Sequence, residues 1–244
     1  MAIRSVMSGR WLPALALVAA FSLGVIAQRA GLIEQTGKYR TDITFLTQQH
    51  MKLVGISGSL AIAVGVPLGL WLSRPRMRRA AETIMQALNL GSTIPTLAVL
   101  ALSMTLLGIG VVPAVFGLWV ASLLPIVRNT YAGMLGVPAH FIEAATGMGM
   151  RPLQILSGVE LPNALYVMFA GIRTALAINV GTAPLAFLIG GGGLGELIFT
   201  GIDLNEPGMM LAGAIPTALL AVLVDFAVGV LAYWVVPRGV NPLR

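Results

Sequence analysis

Residues 143–162 read EAATGMGMRPLQILSGVELP, and they separate two long apolar stretches of the chain. The pattern predicts a short amphipathic helix, a turn marked by Gly147 and Gly149, and a second short segment stopped by Pro162. Pro162 also suits the start of the next helix, because a proline in the first turn loses no helical hydrogen bond. Since the flanking stretches are long enough to cross a bilayer, residues 143–162 are predicted to lie on one face of a membrane.

The composition is that of an integral membrane protein. Of the 244 residues, 57% are hydrophobic and 10% are charged, and the mean hydropathy is +0.89; about a quarter of an average soluble domain is charged. The chain has no cysteine, which excludes disulfides and thiol-based metal sites. The net charge of +6 does not indicate nucleic-acid binding, because the basic residues lie at the ends of apolar stretches and form no aromatic-rich patch.

Six apolar stretches are predicted to be membrane-spanning helices, since an open strand leaves backbone groups unpaired in lipid. They are residues 11–27, 53–72, 84–107, 111–127, 164–189 and 209–236. The first stretch follows basic residues, as in a signal peptide, but no small-residue cleavage site comes after it. It is therefore predicted to be retained. Residues 1–49 are assigned to this helix and an external linker, and residues 50–238 to the transmembrane domain.

The basic residues predict that both termini are cytoplasmic. With six spans and the N-terminus inside, ten basic residues fall in cytoplasmic segments and four in external ones, in accord with the positive-inside rule. The cytoplasmic residues are Arg4, Arg10, Arg74, Arg76, Arg78, Arg79, Arg128, Arg151, Arg238 and Arg244, and the external ones are Arg29, Lys38, Arg40 and Lys52. The same assignment places residues 143–162 in the cytoplasm.

Two ionisable residues lie deep within predicted spans, where charge is costly unless it faces protein or water. Arg173 is 11 residues after Pro162, and Asp225 is 12 residues before Pro237. At 1.5 Å per helical residue, these positions are about 16 and 18 Å from the same side of the membrane. The matched depths allow a buried ion pair, and the alternative is that each residue meets water or another helix separately.

Polar residues on the same helix allow two interpretations. Asn179 and Thr182, with Thr174, either form hydrogen bonds between helices or line a translocation pathway. Close packing is also predicted for Gly65 and Gly69, which form a G-x-x-x-G pattern.

Several chemistries are excluded by spacing. Residues 190–195, GGGGLG, contain a formal G-x-G-x-x-G, but dinucleotide binding requires this motif between a strand and a helix. A close-packed turn at the outer end of the fifth span is the better interpretation. Neither Lys38 nor Lys52 completes an ATP-binding G-x-x-x-x-G-K-[ST] loop. The sequence shows no metal-ligand spacing and no carboxylate paired with Glu143, so the chain is not predicted to be an enzyme.

The spacing in residues 143–162 resembles the EAA loop of ABC importer permeases. In that loop, Glu-Ala-Ala is followed by three residues, a glycine, nine residues, an aliphatic residue, one residue and Leu-Pro. The matching residues are Glu143, Ala144, Ala145, Gly149, Val159, Leu161 and Pro162, and Gly147 lies in the turn. The resemblance implies that the loop is a cytoplasmic coupling helix that docks on an ATPase subunit.

Further segments resemble permeases of the glycine betaine, carnitine and choline importers of bacteria. They are LPIVRNTYAG at residues 124–133, AGIRTA at residues 170–175, and the glycine turn. The resemblance implies an inner-membrane, type I ABC importer fold with five core helices, to which the first span is an addition. The implied solute is an osmoprotectant such as glycine betaine, choline or carnitine. The alternative within the family is another small solute of amino-acid type.

The resemblance also implies the partners. Two permease subunits, identical or homologous, form the path through the lipid; two cytoplasmic ATPases bind ATP and Mg²⁺; and an external binding protein delivers the solute. This chain itself is expected to hold no cofactor. Arg173, Asn179, Thr182 and Asp225 are candidates for translocation or gating. A self-contained secondary transporter is the alternative from another class, but such proteins often show inverted repeats and ion-coupling sites at mid-membrane. Here no repeat is visible, and Asp225 is the single mid-span acid.

Overall fold

The computed structural model describes Gln28 and residues 32–240 of the chain. Within these residues the protein is almost entirely helical and contains no strand, which confirms the predicted all-α class. The first predicted span, residues 11–27, lies outside the described residues.

The helices are numbered in chain order within the described part. They are α1 (Leu32–Gly37), α2 (Arg40–Leu72), α3 (Arg78–Gly91), α4 (Thr96–Leu107), α5 (Val111–Leu135), α6 (Ala139–Gly147), α7 (Pro152–Ile155), α8 (Leu161–Thr182), α9 (Gly195–Asp203) and α10 (Pro207–Val235). Short 3₁₀ helices cover Pro75–Met77 and Ala183–Ile189, and a π-helix covers Leu156–Glu160.

The long helices run between two ends of the molecule. At the end called here the EAA end, Arg74 after α2 contacts Glu160 just before α8. At the opposite end, called the glycine end, the Gly110 N–H before α5 donates to the Ile189 carbonyl at 2.8 Å. Four continuous helical stretches are long and apolar enough to cross a membrane, and they are Arg40–Leu72, Val111–Leu135, Pro152–Ile189 and Pro207–Val235.

In addition to these four stretches, a bent pair of helices corresponds to the third predicted span. The sequence predicted one span over residues 84–107, but the structure breaks it into α3 and α4, which meet at 98°. Pro95 is the physical reason, because it has no N–H and its ring disfavours helical geometry at Ile94. The pair still carries the chain from the EAA end to the glycine end, since α2 finishes at the first and α5 starts at the second.

The fourth span is longer than predicted. Residues 111–127 were expected to cross, but α5 continues to Leu135. Buried contacts of Thr130, Gly133 and Met134 hold the additional turns against the neighbouring helices, and the C-cap of the helix is Gly136, two residues before Pro138.

Small residues bring α2, α5 and α8 close together. A Cβ atom at Gly65 would lie 2.8 Å from Ile126 Cγ2, and one at Gly69 would lie 2.6 Å from Thr130 Cβ. Both distances are too short for a side chain, so the predicted G-x-x-x-G packing face is confirmed. By contrast, only 6% of the most apolar 18-residue part of α10 is buried, so the described residues leave a broad face of this helix uncovered.

Candidate functional site

The EAA segment, residues 139–160, starts with α6 and a tight turn. The Gly149 N–H donates to the Thr146 carbonyl at 2.9 Å, and the Met150 N–H donates to the Ala145 carbonyl at 3.1 Å. Gly149 has a φ of +77°, which is left-handed geometry that glycine adopts without strain. The predicted helix and glycine turn are confirmed.

The outer surface of the EAA segment carries exposed apolar side chains. Ala145 is 1% exposed and anchors α6, whereas Phe141, Met148 and Leu153 are 44%, 75% and 78% exposed. Glu143 and Ala144 are exposed beside them. A polar residue among exposed apolar ones is typical of a protein-docking surface.

The second half of the EAA segment differs from the prediction. Pro162 does not stop a helix here, because α7 continues through the π-helix Leu156–Glu160 into α8. In the π-helix the Leu161 N–H donates to the Leu156 carbonyl, five residues back. This wider turn accommodates the missing N–H of Pro162 without ending the helix. Pro162 lies in the first turn of α8, as predicted.

An ion pair that the sequence analysis missed ties the EAA segment to α2. Arg74 Nη1 lies 2.7 Å from Glu160 Oε2, and Arg74 Nε donates to the Leu70 carbonyl at 3.2 Å. The two side chains are 32% and 15% exposed. The sequence feature that could have indicated this ion pair is Glu160, the charged residue between Val159 and Leu161 of the loop motif.

Arg173 and Asp225 form the predicted ion pair between α8 and α10. Arg173 Nε donates to one carboxylate oxygen of Asp225 and Nη2 donates to the other. The pairing is confirmed, but the prediction that it is buried is wrong for this chain alone. The side chains are 49% and 36% exposed, because both line an open cavity between the two helices.

A cavity of about 330 Å³ opens around this ion pair. It is lined by Tyr166, Phe169, Ala170, Arg173, Thr174, Asp225, Gly229, Ala232 and Tyr233. A Cβ at Gly229 would lie 3.6 Å from Arg173 Cζ, so the guanidinium lies directly over this glycine. The spacing of the lining residues could have indicated this cavity from the sequence. They recur three or four positions apart on α8 and on α10, and residues at this spacing share one face of a helix.

The other two candidate pathway residues, Asn179 and Thr182, do not line this cavity. Asn179 is 1% exposed, and its Nδ2 donates to Ser57 Oγ at 2.8 Å, which links α8 to α2. Thr182 Oγ1 donates to the Ile178 carbonyl of its own helix at 2.9 Å. Thr174, on the same helix as Asn179 and Thr182, does line the cavity beside Arg173.

The glycine end is held by specific hydrogen bonds. Gly190, Gly192 and Gly193 have φ values of 78°, 75° and 86°, which confirms the predicted turn. The Gly193 N–H donates to Gln49 Oε1 at 3.1 Å. Nearby, Tyr39 Oη donates to Glu206 Oε2 at 2.7 Å. The hydrogen bond to this carboxylate raises the pKa of Tyr39 above its usual range.

The described residues do not gather metal-binding side chains. No three His, Asp or Glu side chains within residues 32–240 are close enough to share a metal ion. His50 is buried and its Nε2 lies 3.1 Å from the Val180 carbonyl. His140 lies in α6, where its ring packs against Phe141 with centroids 4.4 Å apart.

Comparison with known families gives one match over most of the chain. The family described as "binding-protein-dependent transport system inner membrane component" matches residues 65–238. The osmoprotectant import permease protein OsmY of Salmonella typhimurium is 56% identical over 186 residues, which are 76% of this chain and 79% of the relative.

Two relatives from Bacillus subtilis each align over 83% of this chain and 93% of their own length. The choline transport system permease protein OpuBB is 41% identical. The glycine betaine/carnitine/choline transport system permease protein OpuCB is 39% identical. Among solved structures, an inward-facing conformation of the MetNI methionine ABC transporter matches 80% of this chain and 96% of its own chain, with a TM-score of 0.70 at 24% identity. This likeness shows the fold, that of a type I ABC importer permease.

Proposed function

Because the chain belongs to the family of binding-protein-dependent transport system inner membrane components, we propose that it is the permease subunit of an ATP-driven osmoprotectant importer. The proposed solute class is supported by the names of the relatives. They are 39–56% identical over most of this chain, and their names specify an osmoprotectant, choline, or glycine betaine with carnitine and choline.

The EAA end supplies the coupling surface in this proposal. Glu143, Ala144, Gly147 and Gly149 form the docking face for an ATPase subunit, and the buried Ala145 anchors it. The exposed apolar side chains of Phe141 and Met148 support this assignment, because they lie outside the membrane-spanning stretches, where lipid does not cover them. Val159, Leu161 and Pro162 join the surface rigidly to α8, so that a displacement of α6 reaches the membrane-spanning core.

The remaining parts of the importer are separate polypeptides. Two cytoplasmic ATPases bind ATP and Mg²⁺, and an external binding protein loads the permease at the glycine end. This division places the EAA end in the cytoplasm, together with both termini. It agrees with the excess of basic residues assigned to that side.

A second permease subunit covers the face that carries Arg173 and Asp225. In lipid, an ion pair with side chains about a third to a half exposed would be costly. Facing a water-filled path between two permeases removes this cost. Arg173, Asp225, Asn179 and Thr182 are accordingly proposed as translocation or gating residues, with the first two nearest the path.

ATPase stimulation tests the proposed function. The permease is assembled in liposomes with its ATPase subunits and its binding protein, and hydrolysis is measured with single solutes. We expect glycine betaine, choline or carnitine to stimulate hydrolysis and to enter the vesicles in an ATP-dependent manner. Stimulation by an amino acid such as methionine, with none by a quaternary ammonium solute, would contradict the proposed solute class.

A further inference from the structure

We propose that the cavity between α8 and α10 binds the trimethylammonium group and the carboxylate of a zwitterionic solute. Tyr166, Phe169 and Tyr233 surround the cation, and Arg173 receives the carboxylate. This inference rests on the proposed function and adds a selective site on the permease itself, beyond the selection made by the binding protein.

The wall of the cavity is rich in aromatic rings. Three of its nine lining residues are aromatic, whereas 7% of the whole chain is, so the rings are concentrated at this position. A quaternary ammonium has no N–H to donate, and proteins hold it against the faces of aromatic rings. Phe169 and the two tyrosines, Tyr166 and Tyr233, bring three aromatic rings to the cavity that Asp225 also lines.

The size and charge of the cavity fit a small zwitterion. Its volume of about 330 Å³ is near the lower limit of small-molecule sites, about 300–1,000 Å³. Arg173 and Asp225 together carry no net charge, so a zwitterion can pair with both without bringing net charge into the membrane. Choline, a plain cation, uses Asp225 and the rings but leaves Arg173 without a carboxylate from the solute.

The position of the cavity places the site on the EAA side of mid-membrane. Tyr166 is five residues after the first residue of α8, and Tyr233 is two residues before the last residue of α10. Both rings therefore lie between the Arg173–Asp225 pair and the EAA end. Tyrosines at such depth also occur as simple membrane-interface anchors, which are indifferent to the charge of a solute. The experiment therefore tests whether binding depends on the positive charge of the solute.

Direct binding is measured by ligand-observed NMR on the permease–ATPase complex in detergent, without binding protein. The probes are glycine betaine and 3,3-dimethylbutanoate, in which carbon replaces the charged nitrogen. We expect glycine betaine to bind more tightly than this uncharged-head analogue. Each of Tyr166→Leu, Phe169→Leu and Tyr233→Leu is expected to weaken glycine betaine binding about threefold to thirtyfold, the range of one cation–π contact.

Matched variants control for folding. Tyr166→Phe and Phe169→Tyr keep a ring and are expected to bind glycine betaine more tightly than the leucine variants at the same positions. Phe226→Leu removes a ring that is 66% exposed on α10 and does not line the cavity, and it is also expected to bind normally. Arg173→Gln is expected to weaken glycine betaine binding more than choline binding, which shifts the preference toward choline.

Equal binding of the two probes by the wild type overturns the proposal, even if the leucine variants fail to fold. Wild-type binding in folded leucine variants overturns it as well. ATPase stimulation by loaded binding protein is measured on the same preparations. Normal stimulation without cavity binding rejects the cavity site alone, whereas no stimulation by any quaternary ammonium solute rejects the proposed function.

Discussion

Gly149 fixes the turn of the EAA segment through its backbone and not through packing. Its φ is +77°, and a Cβ built there would meet nothing within 4 Å. A side chain therefore has room, but the left-handed backbone costs an ordinary L-residue about 1–2 kcal/mol. Asparagine adopts this geometry more readily than other side chains.

We expect Gly149→Leu to uncouple ATP hydrolysis from uptake while the permease remains in the membrane. Gly149→Asn is expected to keep most of the uptake, because it tolerates the left-handed turn. Uptake and hydrolysis are measured together in liposomes. Equal uptake by the leucine variant and the wild type would contradict the role of the turn in coupling.

Arg173 and Asp225 show what the sequence can predict at the scale of single residues. Their pairing followed from the constant helical rise, which gives matched depths. Their exposure did not follow, because it depends on how α8 and α10 rotate about their axes. The same limit applied to Asn179, whose contact with Ser57 depends on the packing of α8 against α2.

A double-mutant cycle tests the strength of the Arg173–Asp225 pair. Arg173→Leu and Asp225→Leu are each expected to lower thermal stability in detergent, because each leaves an unpaired charge. The double variant is expected to recover part of the loss, with an interaction energy of about 0.5–3 kcal/mol. Additive losses would show that the pair contributes nothing to the stability of the assembled protein.

At the scale of elements, proline acted in two opposite ways. Pro95 broke the apolar stretch 84–107 into two helices, whereas Pro162 was accommodated inside a continuous helical run. Hydropathy did not predict the break, because the composition stays apolar through it. The π-helix before Pro162 was not predictable either, since it depends on a hydrogen bond from Leu161 to Leu156.

The Arg74–Glu160 ion pair is expected to transmit movement between elements. It joins the end of α2 to the π-helix that follows the proposed docking surface. Glu160→Gln and Arg74→Gln should each reduce uptake per ATP hydrolysed, and the exchange Arg74→Glu with Glu160→Arg should restore part of it. Both quantities are measured in the same liposomes. Unchanged uptake per ATP in the single variants would reduce this ion pair to a surface contact of little consequence.

At the scale of the whole molecule, the two ends carry different surfaces. The glycine end presents the exposed acidic residues Glu196, Asp203 and Glu206, and the segment 190–207 contains no basic residue. If this end is external, such a surface attracts a basic patch on the binding protein and acts mainly on the association rate. Glu206 also accepts the hydrogen bond from Tyr39, so it has a structural part as well.

We expect Glu196→Gln combined with Asp203→Asn to slow docking of the binding protein at low salt and to have less effect at high salt. Glu206 is left intact so that its hydrogen bond with Tyr39 is kept. Stopped-flow association rates at several salt concentrations measure the effect. An unchanged rate at low salt would show that another surface steers docking.

The central claim is that the EAA end docks on an ATPase subunit, and the absence of cysteine in the chain allows a direct test. Met148→Cys and Ile109→Cys place single thiols on side chains that are 75% and 79% exposed at opposite ends. A thiol–amine cross-linker is applied to the assembled complex. The account predicts a permease–ATPase product from position 148 and none from position 109. A product from position 109, or none from 148 in a complex that hydrolyses ATP, would contradict it.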